Sequence, residues 1–393
     1  MSAYLNALGV ICALGRGHTD VRTALLAGDT RGMSMCNTWL DQGVSCFGTI
    51  DLPLPEVPAH LAMHDSRNNR VLLAAAQDIE DAARAAVARY GAHRVGVVLG
   101  TSTSGILESE SAIETYVHTG ERSTSYAYRR QTLNGPARFL ADWLAITGPA
   151  YMISTACTSS AKALASARRL LNMDVCDVVL CGGVDTLCRL TANGFASLEA
   201  MSSERSNPFS ANRTGINLGE AAALFLMSRE PASVALLGTG AGSDAHHMSS
   251  PDPTGAGAAR SMRAALADAG LAPDAIGYLN LHGTGTPHND AMESLAVAEV
   301  FGSQLLCSST KPLSGHTLGA AGALEAAFCW LTLADNPGNR VPPHRWDAIA
   351  DPALPLLNFA RPGAQLAQDA RYLLSNSFAF GGNNTSLILG SPA

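Results

Sequence analysis

Val95-Gly-Val-Val-Leu-Gly-Thr-Ser-Thr103 is echoed by Ile276-Gly-Tyr-Leu-Asn-Leu-His-Gly-Thr-Gly-Thr286, with two residues added before the Gly-Thr. Each string is an apolar run that ends in small polar residues. Each is followed downstream by Ser-Thr and a helical segment of small side chains: Ser154-Thr155-Ala-Cys157 in one case, Ser309-Thr310-Lys311 in the other. The repetition predicts two related halves joined near residues 229–234, with an insertion around residues 104–150 of the first. Chance similarity of Gly/Thr-rich strand ends is the competing explanation of the strings alone.

Other apolar runs read the same way. Arg94–Gly100, Asp177–Gly183, Ala221–Ser228, Ile276–Gly283 and Thr385–Gly390 lack a two-residue alternation, which predicts strands covered on both faces. Between them lie helical patterns. Val71–Tyr90 carries one broad apolar face and meets Gly91, and Ala258–Ala269 meets Gly270. Strands alternating with helices predict α/β layers.

Composition narrows the function. Hydrophobic residues make up 47% of the 393 and charged residues 15%, a balance that suits a large core. The formal net charge of −7 argues against nucleic-acid binding. Nine cysteines without CxxC pairs or His/Cys ligand spacing predict neither a metal site nor disulfides, and point to a reducing, cytoplasmic setting. Ala7–Leu14 is apolar but lacks a basic flank and a cleavage site, so no signal peptide is expected. No apolar run approaches the roughly 20 residues of a membrane span.

The chemistry concentrates in four strings. In Tyr151-Met-Ile-Ser-Thr-Ala-Cys157-Thr-Ser-Ser-Ala-Lys162 a strand runs into the helical segment Ala161–Leu171. Cys157 therefore sits at a helix N-terminus, where the dipole is expected to lower its pKa below the ordinary ~8.5. His282 ends a buried strand ahead of Thr284 and Thr286, whose hydroxyls suit an amide-rich arm. His316 opens a run of very small residues in Lys311-Pro-Leu-Ser-Gly-His316-Thr-Leu-Gly-Ala-Ala-Gly322, where the dipole should keep its ring neutral. A neutral imidazole donates to a developing oxyanion without being a strong acid. Buried Lys311 needs a carboxylate, and Glu293 is the expected partner. Finally, Ser375-Asn-Ser-Phe378-Ala-Phe380-Gly-Gly-Asn-Asn384 is a strand entering a sharp turn, suited to an oxyanion N–H and an apolar gate.

One cysteine followed by two histidines, each in its own small-residue motif, resembles the β-ketoacyl synthases of the thiolase fold. The resemblance covers nearly the whole chain. It runs from Leu8-Gly-Val-Ile-Cys-Ala-Leu-Gly15 and Leu25-Leu-Ala-Gly28 through Thr155-Ala-Cys157 to Asn207-Pro-Phe-Ser-Ala-Asn-Arg213-Thr-Gly215 and Gly219-Glu220. It continues through His282-Gly-Thr-Gly-Thr-Pro and Gly315-His316 to the Phe380 turn.

The resemblance implies a layered αβαβα fold of two pseudo-duplicated halves, residues 1–230 and 231–393. It implies a cysteine acyltransferase that performs decarboxylative Claisen condensation. By carry-over, Cys157 is the nucleophile, and His282 and His316 hydrogen-bond the malonyl thioester. Lys311 and Glu293 support them, Thr284 and Thr286 hold a phosphopantetheine arm, and Phe380 gates beside Phe378. No metal or cofactor is implied. The implied partners are an acyl carrier protein, docked near Arg67 and Arg70, and a second subunit in a homodimer or in a heterodimer with a ketosynthase-like chain. The insertion would serve the dimer contact and the acyl pocket.

Asn207, Ser210, Ala379 and Asn383 depart from the usual arginine, aspartate, glycine and threonine, which implies a divergent member. Several motifs also resemble synthases of bacterial aryl-polyene clusters. A thiolase would need a second, C-terminal cysteine, but the last cysteine is Cys329. A non-catalytic chain-length subunit would lack the nucleophile, and Cys157 is present.

Overall fold

The computed structural model describes residues 3–123 and 126–391. Ten strands build its principal sheet: β1 (Ala3–Cys12), β2 (Val95–Gly100), β3 (Ala150–Ile153), β4 (Val178–Asp185), β5 (Ala221–Ser228), β6 (Ala235–Ser243), β7 (Ile276–Asn280), β8 (Leu306–Ser308), β9 (Tyr372–Ala379) and β10 (Asn383–Gly390). Two-residue strands at Gly15–Arg16 and Asn358–Phe359 pair with β1 and β8.

The spatial order repeats. One half runs β1-β5-β4-β2-β3 and the other β6-β10-β9-β7-β8. The directions repeat too. β2 lies parallel to β3 and β4 as β7 lies parallel to β8 and β9. β4–β5 and β1–β5 are antiparallel, as are β9–β10 and β6–β10. The echo therefore marks equivalent places: its strings lie on β2 and β7, and its Ser-Thr pairs follow β3 and β8. A short antiparallel register, Ala3 with Leu236 and Tyr4 with Ala235, joins the halves.

Helices are labelled here as α1 (Gly17–Ala27), α2 (Arg67–Gln77), α3 (Glu80–Tyr90), α4 (Leu107–Thr119), α5 (Gly135–Leu144), α6 (Ser159–Asn172), α7 (Arg189–Ser197), α8 (Ala256–Ala269), α9 (Pro287–Phe301) and α10 (Ala321–Leu333). Between the half-sheets lies a central core that contains α6 and α10. The outer face of the first half is covered by α2, α3 and α5, that of the second by α8 and α9.

This αβαβα layering explains the continuous apolar runs. Val95, Val97 and Leu99 of β2 face the outer core while Val98 faces the central one. In β10, Ile388 faces outward while Leu387 and Leu389 face the centre. Small residues let the central helices approach closely. A Cβ on Gly322 would stand 2.8 Å from the backbone nitrogen of Ala161.

Two local readings change. The single helix expected over Val71–Tyr90 is two, broken where Ile79 leaves helical geometry at φ −125° and ψ 15°. Ile79 turns into the core there, while Gln77 and Asp78 bind Arg16. The apolar periodicity survives because both helices pack on the same half-sheet. The segment between β2 and β3 carries α4, a single turn at Tyr128–Gln131, and α5, whereas α9 alone bridges β7 and β8. Among the described residues no helix is long and apolar enough to cross a membrane, and the nine cysteines are free.

Candidate active site

The strand ends of both halves meet at one cavity of about 240 Å³. Cys157, His282 and His316 line it with Thr284, Thr286, Phe378 and Phe380. Cys157 lies between β3 and α6, just after Ala156, which is held at φ +50°. That left-handed backbone costs energy in an alanine, and such strain is tolerated where it aims a reactive side chain. Cys157 Sγ stands 2.8 Å from His316 Nε2. His282 follows β7 and meets His316 edge-on, with ring centroids 5.3 Å apart. Phe378 of β9 also meets the His282 ring, with centroids 5.9 Å apart.

Burial reverses one expectation. It pushes the Cys157 thiol up to about 12, against the pull of the Lys311 cation, so the residue rests as a thiol. Burial, and then Lys311, hold both imidazoles well below the ordinary histidine range. Both are neutral, as expected of His316, but burial rather than a helix dipole is the main cause. A neutral acceptor 2.8 Å from a thiol is a route for its proton.

Lys311 does not pair with Glu293. Its Nζ donates to Glu325 Oε1 at 2.5 Å, with both side chains buried, and lies 3.4 Å from His282 Nδ1. An ammonium has only protons to offer, so Nδ1 accepts and the ring proton sits on Nε2. Glu293 is already occupied: its oxygens accept the backbone N–H groups of His282 and Gly283 at 2.8 and 2.7 Å, and the Asn376 amide. It clamps the loop that carries His282. Burial raises it to about 7 despite those bonds.

A raised carboxyl stabilises the fold most below its unfolded value near 4.3, and that contribution is lost as pH climbs through 7. Glu293→Gln should therefore gain stability relative to the parent between pH 4.5 and 8, by about 3 kcal/mol. Denaturation curves of both proteins across that range check this; parallel pH dependences would refute it.

Arg67 and Arg70 lie elsewhere. Arg67 donates to Glu220, which is 1% exposed, through Nε at 3.0 Å and Nη2 at 2.5 Å, and to Ile50 O. Arg70 pairs with Asp65 through two bonds of 2.7 Å. The two cations expected to dock a carrier protein are thus each already paired, Arg67 with a buried carboxylate and Arg70 with a half-exposed one. Arg67→Ala should cost about 3 kcal/mol by stranding Glu220, whereas Arg70→Ala should cost under about 1 kcal/mol. Urea melts distinguish the two.

Three contributors went unnoticed in the sequence. Glu325 had a signal, being an acid in the otherwise apolar helix α10. Asp185 ends β4 and is fully buried. It accepts from Thr101, Ser102 and Thr103 and from Gly319 N at 2.6 Å, tying the loop after β2 to the one after His316. Phe195 of α7 stacks on Phe380 at 5.4 Å, and no local pattern marked it.

Cys157, His282 and His316 together form a donor set of the kind that binds metals. The 2.8 Å from Sγ to Nε2 is a hydrogen bond, however, and shorter than the ~3.5 Å separating two ligands on a tetrahedral zinc. The arrangement suits a nucleophile with two oxyanion donors.

The model of "Beta-ketoacyl synthase, N-terminal domain" matches residues 50–232, and that of "Beta-ketoacyl synthase, C-terminal domain" matches 234–344. The 3-oxoacyl-[acyl-carrier-protein] synthase 2 of Coxiella burnetii is 30% identical, over 98% of this chain and 97% of that protein. Among solved structures, a ketosynthase (ApeO) in complex with its chain length factor (ApeC) from Xenorhabdus doucetiae is 45% identical. It has a TM-score of 0.94 and the match covers 100% and 98% of the two chains. The ishigamide ketosynthase/chain length factor is 28% identical with a TM-score of 0.88, over 100% and 99%.

Proposed function

The chain belongs to the β-ketoacyl synthase family, and on that footing we propose that it is the catalytic subunit of a ketosynthase–chain length factor pair. It joins a Cys157-bound acyl chain to a malonyl unit, each delivered on the phosphopantetheine arm of an acyl carrier protein. The observation that carries this reading is the 2.8 Å contact of Cys157 Sγ with His316 Nε2, beside the His282 ring that meets His316 edge-on and lines the same cavity.

In the first half-reaction the thiol passes its proton to His316 Nε2 and sulfur attacks the acyl thioester. The phosphopantetheine thiolate leaves and takes a proton from solvent, while His316 keeps the thiol proton on Nε2 and sheds the one on Nδ1, which returns it to a neutral form with Nε2–H as donor. The backbone N–H groups of Cys157 and Phe380 stabilise the tetrahedral oxyanion. In the second half-reaction His282 and His316 donate to the malonyl thioester carbonyl. Carbon dioxide departs, the enolate attacks the acyl-cysteine carbonyl, and the released Cys157 thiolate picks up a proton from solvent. Thr284 and Thr286, whose hydroxyls lie 2.8 Å apart at the cavity wall, hold the arm. A thiol and two imidazoles suffice for these steps, and free cysteines suit a reducing cytoplasm.

Pairing with a chain length factor is supported by the higher identity to ApeO, 45% against 30% for the C. burnetii synthase. It points to a polyene or polyketide pathway. The insertion also exposes Tyr116, Val117 and Tyr128, apolar surface suited to a partner.

Intact-mass spectrometry tests the proposal. The chain, alone and with its chain length factor, is incubated with a panel of acyl–carrier proteins and then with malonyl–carrier protein. Acyl adducts on Cys157 that discharge to β-ketoacyl products are expected. No adduct with the partner present would overturn it.

A further inference from the structure

The cavity at Cys157 is smaller than the about 300–1,000 Å³ usual for small-molecule sites, so a long acyl chain enters only if a wall moves. Phe380 is an exposed aromatic member of that wall, at 38%, with its ring on Phe195. It opens a turn in which Gly381 and Gly382 both hold positive φ, 78° and 72°, so the backbone reverses without a Cβ to resist it. Most ties on this turn lead to a neighbouring loop. Gly381 N donates to Met248 O at 2.7 Å and Asp244 N to Gly382 O at 2.8 Å. That loop lines the cavity itself through Asp244, Ser249, Ser250 and Pro251, so turn and loop can shift together.

A different tie reaches the fixed centre of the molecule. Lys162, on α6 five residues beyond Cys157, donates from Nζ to Asn383 Oδ1 at 2.6 Å. Asn383 directly follows the two glycines. Among the described residues no carboxylate pairs with Lys162, and burial lowers its pKa. A half-buried cation held by one neutral acceptor differs from Lys311, which is locked to a carboxylate. Its bond is strong enough to hold a position and weak enough to break during turnover.

We propose that Lys162 and Asn383 form a latch that keeps the Phe380 turn over Cys157 and sets how readily an acyl chain reaches the thiol. Lys162 is thus a positioning residue for substrate entry, anchored to the helix that bears the nucleophile. The identity of the entering chain rests on the ketosynthase reading; the latch itself does not.

The test is the rate at which N-ethylmaleimide alkylates Cys157, followed by intact mass and peptide mapping across pH. Lys162→Met and Asn383→Leu remove the bond from opposite sides. Each should speed alkylation about tenfold, the effect of losing one charge-assisted hydrogen bond, at an unchanged pH midpoint. Lys162→Arg, which keeps a donor, should stay near the parent rate, and Asn383→Asp, which creates an ion pair, should slow it.

Wild-type rates in both bond-removing variants would overturn the latch. So would acceleration in Lys162→Met alone with a shifted midpoint, since the cation would then act on the thiol. The two variants lie on different elements, so misfolding of one leaves the other informative. Maleimide needs no carrier protein, so failure of the latch and failure of the synthase reading are separable.

Discussion

Cys157→Ala is expected to abolish acyl loading, a loss of about ten-thousand-fold or more, while malonyl decarboxylation persists. The two half-reactions draw on different groups. Loading needs sulfur as the covalent carrier, and no other cysteine replaces it, because Cys157 is the cysteine that lines the cavity with His282 and His316. Decarboxylation needs only donors aimed at the thioester carbonyl. Those are His282, whose tautomer is set by Lys311 3.4 Å away, and His316, which loses its sulfur partner but keeps its backbone anchor to Asn217 O at 2.7 Å. Adduct mass and carbon dioxide release, measured on the same preparation, separate the two. Acyl transfer surviving in the variant would refute a covalent cysteine mechanism. Joint loss of both activities in a folded variant would mean that the histidines do not act independently of sulfur.

Lys311→Met should show the largest stability loss outside the hydrophobic core, about 3–5 kcal/mol. Lys311 and Glu325 are 2% and 4% exposed and 2.5 Å apart. Removing either leaves its partner without a counter-ion in an environment that disfavours charge. Burial already raises Glu325 to about 7 with Lys311 in place, and without the cation it would take up a proton to remain inside. The double variant Lys311→Met/Glu325→Leu should recover most of the lost stability, since two apolar side chains replace a desolvated pair.

Activity should not return with it. Without the ammonium nothing fixes the proton of His282 on Nε2, and the decarboxylation rate should stay about a hundredfold down. Urea denaturation of the parent, both single variants and the double variant, together with carbon dioxide release, distinguishes stability from chemistry. A double variant that regains decarboxylation would show that Lys311 serves the fold alone.

Much of this was legible residue by residue. The apolar runs from Val95 and Ile276 are strands because both their faces are covered, and the helices at Ser159–Asn172 and Ala256–Ala269 lie where small and apolar residues recur on one face. Cys157 stands between a strand and a helix and His282 just beyond a strand, as their motifs implied, whereas His316 lies between the turn at Lys311–Ser314 and the helix at Ala321–Leu333 rather than in that helix's first turn. Less legible were the break at Ile79, which no glycine or proline marks, and Asp185 and Phe195, whose neighbours in the chain carry no functional pattern.

The sequence by itself determined the alternation of strands and helices and placed the candidate reacting groups in their motifs, because both depend on local periodicity or a short string, while the five-layered αβαβα arrangement came with the family resemblance. Tertiary structure alone decided which charge meets which. Glu293 lies nearer in sequence to His282 than Glu325 does, yet its oxygens are taken by the N–H groups of the His282 loop, which leaves Lys311 to Glu325. Arg67 looked like a surface cation until Glu220 was found beneath it. Ion pairing follows distance and desolvation in space, and neither is written in the spacing of residues along the chain.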